Sequence, residues 1–102
     1  MTVLEALLKV KKRLKHPSAW IKGKYKVRNR CCLSVAINEL FSEDEQANLS
    51  ITDPNLVQAR KAIKNALPSD YTSIIEFNDD PSTTHKDIVK VINKAIKAEK
   101  AS

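Results

Sequence analysis

Arg30-Cys31-Cys32-Leu33-Ser34-Val35-Ala36-Ile37-Asn38-Glu39-Leu40-Phe41 is the stretch that decides the fold class. Its apolar residues surround a helix axis instead of marking one stripe, and a helix that is apolar all round is a buried one. The stretch therefore predicts a central helix from about Arg30 to Phe41, with Ser34 and Asn38 as its main polar line and Ser42 to Gln46 as an acidic exit.

Three amphipathic helices surround it. Val3, Leu4, Leu7, Leu8, Val10 and Leu14 recur at three- and four-residue steps and predict a helix from about Thr2 to Lys15. His16-Pro17 ends it, because proline disfavours the helical conformation in the residue before it. Asp53 as N-cap and Pro54 at the first helical position open a third helix through Leu56, Ala59, Ile63, Ala66 and Leu67. Thr84, with Asp87 three residues on, resembles a capping box with the shorter acid, and Ile88, Val91, Ile92, Ala95 and Ile96 form the stripe of the last helix. Two segments have strand character: Lys24 to Arg28, which alternates with period two, and Tyr71 to Phe77, for which the first is the only evident partner. The expected fold is all-α: a four-helix domain spanning residues 1–102, with room for a two-stranded β-ribbon. One core is what 102 residues can bury.

The net charge of +6 is unevenly distributed. Residues 1–30 hold ten basic residues against Glu5 alone, a local charge of +9, and the other 72 hold eight basic and eleven acidic groups, a charge of −3. Such asymmetry points to a polyanionic partner, since each cation placed on a phosphate releases a condensed counterion. A solvated basic face that keeps the protein dissolved is the plain alternative. On the first reading Lys11, Lys12, Lys15, Lys22, Lys24, Lys26, Arg28 and Arg30 contact phosphate while Trp20 and Tyr25 stack on bases, within a basic segment 9–30. The partner is nucleic acid or an acidic protein surface, the latter making the chain a small regulator of a host protein. No RNA-recognition, KH, zinc-finger or homeodomain signature is present, so specific base readout has no motif to rest on.

Other chemistries find little support. Gly23 is the only glycine, which excludes glycine-rich phosphate cradles. Adjacent Cys31 and Cys32 rarely bridge each other, and with His16 and His85 they offer no zinc-ligand spacing. A Cys–His nucleophile pair using either cysteine with His85, oriented by Asn78 or Asp79, competes with two buried core thiols of raised pKa. Asp79 and Asp80, readable as metal ligands, sit in Asn78-Asp79-Asp80-Pro81-Ser82, which is also turn chemistry. The expectation is a non-enzymatic protein with no cofactor, no metal and no catalytic residue. No apolar run approaches a membrane span and no leader is evident, so a cytoplasmic location is expected.

Two motifs carry a resemblance. Trp20 with Cys32-Leu33-Ser34-Val35-Ala36-Ile37, and Phe77-Asn78-Asp79-Asp80-Pro81 leading through Thr84 into the last helix, resemble an uncharacterised family of small proteins from bacteria and their phages. Its pattern is a tryptophan, a Cys-x-x-Gly-Ala helix and an aromatic-Asn-Asp segment. Val35 stands in place of the glycine and Phe77 in place of a tryptophan, and both exchanges favour packing over chemistry. The resemblance implies a bacterial cytoplasm, or a host's if the protein is phage-borne, and marks Cys32, Asn78, Asp79 and Thr84 as a shared site without a role.

Overall fold

The computed structural model describes residues 2–48 and 54–101, the stretch 41–48 by its backbone. The first helix, α1 (Val3–Arg13), is started by a capping box: Thr2 Oγ1 accepts from the Glu5 amide at 3.0 Å, and Glu5 accepts from the Thr2 amide at 3.3 Å. A 3-10 turn follows at Pro17–Ala19. Two short strands, β1 (Lys26–Val27) and β2 (Arg30–Cys31), pair antiparallel with Lys26 opposite Cys31. Then come α2 (Leu33–Asn48), α3 (Pro54–Ala66), α4 (Ile74–Asp79) and α5 (His85–Ala101). The four long helices and the small ribbon follow the expected architecture. A radius of gyration of 12.9 Å is what a folded chain of about 100 residues gives.

Among the described residues, all four long helices and α4 contribute to one core. Helices α1, α3 and α5 pack on one another through Leu7, Val10, Leu56, Ile63, Ile88 and Ile92, and α2 lies against α1, α3 and α4. Cys31 belongs to β2 and Cys32 precedes the helix, and over its described side chains α2 buries Leu33, Ser34, Ala36, Ile37 and Leu40. Its polar line has a partner on α3: Arg60 donates to Ser34 Oγ at 3.0 Å and to Asn38 Oδ1 at 3.1 Å. The acidic exit remains helical to Asn48, where Glu43, Glu45, Gln46 and Ala47 are good helix formers. Asp53, the expected cap of α3, lies outside the described residues, and Pro54 does open the helix.

The strand reading of Tyr71 to Phe77 is corrected. Ile74 begins a helix whose N-cap Ser73 accepts from the Glu76 amide at 3.0 Å, and Ile74 and Phe77, three residues apart, both point into the core. The strand near Tyr25 pairs instead with Arg30–Cys31, across a two-residue turn at Arg28-Asn29. Arg28 has φ 56°, the left-handed region that a residue with a Cβ enters at a cost. Arg28→Gly is therefore expected to raise stability by about 0.5–1 kcal/mol, after allowance for the greater freedom of glycine in the unfolded chain. Denaturant unfolding checks this, and an unchanged or lower midpoint would show that the turn carries no such strain.

Candidate functional site: a buried asparagine clamp and a basic hairpin

The motif residues Trp20, Cys32, Asn78 and Asp79, read at opposite ends of the sequence, meet in space. Asn78, at the end of α4, is 0% exposed and uses its whole side chain. Its Oδ1 accepts from Trp20 Nε1 at 2.7 Å and from the Leu33 amide at 3.0 Å. Its Nδ2 donates to the Ile21 carbonyl at 3.1 Å and to Asp79 Oδ1 at 3.0 Å. The Leu33 amide is one of the first N–H groups of α2, which no helical carbonyl can satisfy. One side chain thus caps α2 from α4 and fastens the loop from Trp20 to Gly23. Asp79 completes the attachment by accepting from the Gly23 amide at 2.9 Å.

Gly23 has φ 79°, with open space where a Cβ would stand, so its requirement is conformational and not steric. Cys32 is buried, and its Sγ accepts from the Val35 amide at 3.4 Å, in the position of an N-cap side chain. Burial pushes the Cys31 thiol up to about 11.

The remaining motif residue, Thr84, is not part of this cluster's hydrogen bonding. It caps α5: Asp87 Oδ2 accepts from the Thr84 amide at 2.9 Å and Thr84 Oγ1 accepts from the Asp87 amide at 3.3 Å. The next residue connects the two. His85 Nε2 donates to the Leu14 carbonyl at 2.6 Å, just past the end of α1, and its ring lies 6.2 Å from that of Trp20. Asp80 makes the expected local turn, accepting from the Ser82 amide at 2.8 Å and from its hydroxyl at 2.6 Å. Turn chemistry thus describes Asp80, whereas Asn78 and Asp79 reach 45 to 58 residues back along the chain.

The structure separates the basic residues read from the sequence. Trp20 is half-buried with its N–H committed to Asn78, and Lys22 Nζ lies 5.8 Å from its ring centre while donating to the Pro81 carbonyl at 3.2 Å. Lys26 pairs with Glu39 at 3.3 Å, and Arg13 meets the same carboxylate at 3.0 Å. Lys9 and Lys12 join Arg13 and Glu39 along an open groove between α1 and α2. Lys11 lies about 160° round α1 from Arg13, by 100° per residue, and Lys15 lies beyond the end of the helix; both are exposed and neither lines the groove. Lys24, Tyr25, Arg28 and Arg30 are exposed on the hairpin, with Tyr25 at 66%. Among the described residues, the side chains of Lys24, Arg28 and Arg30 have no hydrogen-bond or ion-pair partner.

Four carboxyls are held below their ordinary values of 3.8 for Asp and 4.5 for Glu. In Glu39 burial pushes the pKa up, but the hydrogen bonds and charges of Arg13 and Lys26 outweigh it. Asp87 is lowered by the Thr84 amide and hydroxyl, Glu5 by the Thr2 amide and hydroxyl, and Asp80 by the Ser82 hydroxyl and amide. A depressed carboxyl contributes stability that is present above its unfolded pKa and lost as pH falls through the folded one. The melting temperature is therefore expected to hold between about pH 5 and 8 and to fall below about pH 4.5, less steeply in Glu39→Gln. A midpoint constant from pH 5 to pH 3 would mean that these contacts contribute nothing.

Fold and site together define a class: a small helical domain whose basic hairpin is fastened to the core by one buried asparagine. The chain belongs to a family of unknown function, DUF6197, whose model matches residues 1–98. No curated protein and no solved structure matches it. Among the described residues, no helix is long and apolar enough to cross a membrane, and no group of three His, Cys, Asp or Glu could hold a metal ion.

Proposed function

We propose that the protein is a non-enzymatic nucleic-acid-binding module whose primary contact is the hairpin, with Lys24, Arg28 and Arg30 on phosphate and Tyr25 against a base. The observation that carries the reading is the combination, on the hairpin, of three exposed cations without a partner among the described residues and a 66% exposed tyrosine. Residues 6–38 contain ten basic residues and no acid, and the carboxylates that packing brings to this segment, Glu39 and Asp79, are fewer than its cations. Lys12 and the α1–α2 groove extend the positive surface, with Glu39 neutralising part of it.

The non-enzymatic part of the reading rests on how the motif residues are spent. Asn78 has no hydrogen-bonding capacity left for a substrate, Cys31 is a buried thiol pushed up to about 11, and Cys32 is engaged at the start of α2. The reading carries with it a cytoplasmic location, bacterial or in the host of a phage.

Salt titration of binding to labelled oligonucleotides tests it. Non-specific binding of this kind has a Kd of about 10⁻⁴ to 10⁻⁶ M at physiological salt and weakens steeply as salt rises. No detectable binding to any oligonucleotide at low salt would overturn the proposal. Capture of a host protein from nuclease-treated lysate, combined with that failure, would favour the acidic protein surface as partner.

A further inference from the structure

Five large hydrophobic side chains are exposed among the described residues: Leu8, Tyr25, Val27, Val57 and Ile75. Three of them lie along one path. A cleft of about 170 Å³ beside the hairpin is lined by Lys24, Tyr25 and Ile75. A second cleft, of about 370 Å³, lies between α3 and α4 and is lined by Ile75, Val57, Lys61 and Lys64. Ile75 lines both, so the two clefts adjoin at this residue, and together they mark a strip from the hairpin across α4 to α3.

Apolar and cationic side chains occur together along the strip. Ile75 and Val57 are 41% and 43% exposed on α4 and α3. Lys61 and Lys64, three residues apart on one helical face, are exposed beside them. The cleft's other cation, Arg60, is held by Ser34 and Asn38 and so serves to fix the wall. Two carboxylates border the strip and keep their charge, Asp79, which accepts from the Gly23 amide and Asn78, and Glu76, which accepts from the Thr72 hydroxyl at 3.2 Å; Lys24, Lys61 and Lys64 outnumber them.

A duplex presents phosphates and hides its base faces, whereas a single strand presents both. Only the single strand uses an apolar ridge flanked by lysines. We propose that this strip is the path of a single-stranded nucleic acid, its bases lying against Tyr25, Ile75 and Val57 and its phosphates against Lys24, Lys61 and Lys64. The inference rests on the nucleic-acid reading above and sharpens it to single strands. It also adds residues of α3 and α4, outside the basic N-terminal third, to the contact surface.

Fluorescence anisotropy with labelled dT20, and with a 20-base-pair duplex, tests it on the full chain. The wild type is expected to bind dT20 more tightly than the duplex. The double variant Lys61→Glu/Lys64→Glu is expected to weaken dT20 binding by about tenfold or more. Tyr25→Ala and Ile75→Ala are each expected to weaken dT20 binding about fivefold or more, with duplex binding unchanged. Lys61→Gln/Lys64→Gln, with circular dichroism of every variant, guards against a folding defect.

Equal affinity for duplex and single strand, or dT20 binding insensitive to both the α3 and the Ile75 variants, would overturn the path while leaving hairpin binding intact. Polyglutamate that displaces dT20 at equal concentration and loses affinity in the same variants would also overturn it, assigning the strip to acidic protein segments. Absence of any binding by the wild type at low salt would remove both proposals together.

Discussion

Asn78→Ala is expected to lower the melting temperature by on the order of 15–25 °C, the largest stability effect of any single polar substitution in this fold. The truncation removes an acceptor from the Leu33 amide and from Trp20 Nε1, and a donor from the Ile21 carbonyl. Each buried group left unpaired costs about 1–3 kcal/mol, so a total of about 3–4 kcal/mol is reasonable for a site whose indole can partly reach water. Domains of this size have about 5–15 kcal/mol in all, and each kcal/mol is worth about 4–8 °C.

Amide exchange locates the loss: the Leu33 amide and the Trp20 indole proton are expected to exchange faster than the amides in the middle of α5. A variant that melts like the wild type would mean that Asn78 is not structural and that its role must be sought in a ligand. Asn78→Asp makes the complementary case. It keeps the acceptor for Leu33 and Trp20 but loses both donors and sets a carboxylate beside Asp79. Burial and that like charge raise the new group's pKa, so its penalty is full at neutral pH and is relieved as pH falls through the raised value. A mildly acidic buffer should therefore narrow the gap between this variant and the wild type, while it leaves the alanine variant where it was.

The largest expected effect on binding is that of Lys24→Glu/Arg28→Glu/Arg30→Glu. Removing three phosphate contacts should reduce the slope of log K against log salt by about 2–3 and weaken oligonucleotide binding at about 0.1 M salt by on the order of 100-fold. These side chains are exposed and unpartnered, so the melting temperature should change little, which separates lost binding from lost fold. Lys11→Glu/Lys15→Glu is the control, because both side chains are exposed and lie outside the hairpin and the α1–α2 groove. If the control weakens binding as much as the hairpin variant, net charge and not a surface governs the interaction, and the solvated basic face becomes the better account. Salt dependence alone would not distinguish these, since any cation near the backbone contributes to the slope.

How much of this was legible before the fold was known differs from element to element. Helices α1, α3 and α5 could be read from stripe periodicity and from proline and Thr–Asp capping, because in each of them the residues that decide the conformation lie within one or two turns of each other. Helix α4 was hidden by the β-branched and aromatic content of Tyr71 to Phe77. The signal that identifies it is Ser73 with Glu76 three residues later, an N-cap pattern that outweighs a modest strand preference once Ile74 and Phe77 share a core face. The hairpin was half legible. Its alternation showed at Lys24 to Arg28, but its turn lacks the glycine or the asparagine–glycine pair that usually announces one, and Arg28 takes the left-handed position instead.

By itself the sequence determined the helical class, the starts of α3 and α5 and the concentration of charge in the first 30 residues, all of which depend on neighbours a few positions apart. Only the tertiary structure decided that Asn78 and Trp20, 58 residues apart, form one hydrogen bond, and that Asp79 holds Gly23. It also decided which cations are spent: Lys26 and Arg13 on Glu39, Lys22 on the Pro81 carbonyl, and Lys24, Arg28 and Arg30 on nothing within the described chain. The physical reason is the same in each case. A side chain's chemistry belongs to its type, but its availability depends on the partners that packing brings within hydrogen-bonding reach, and those partners come from anywhere in the chain.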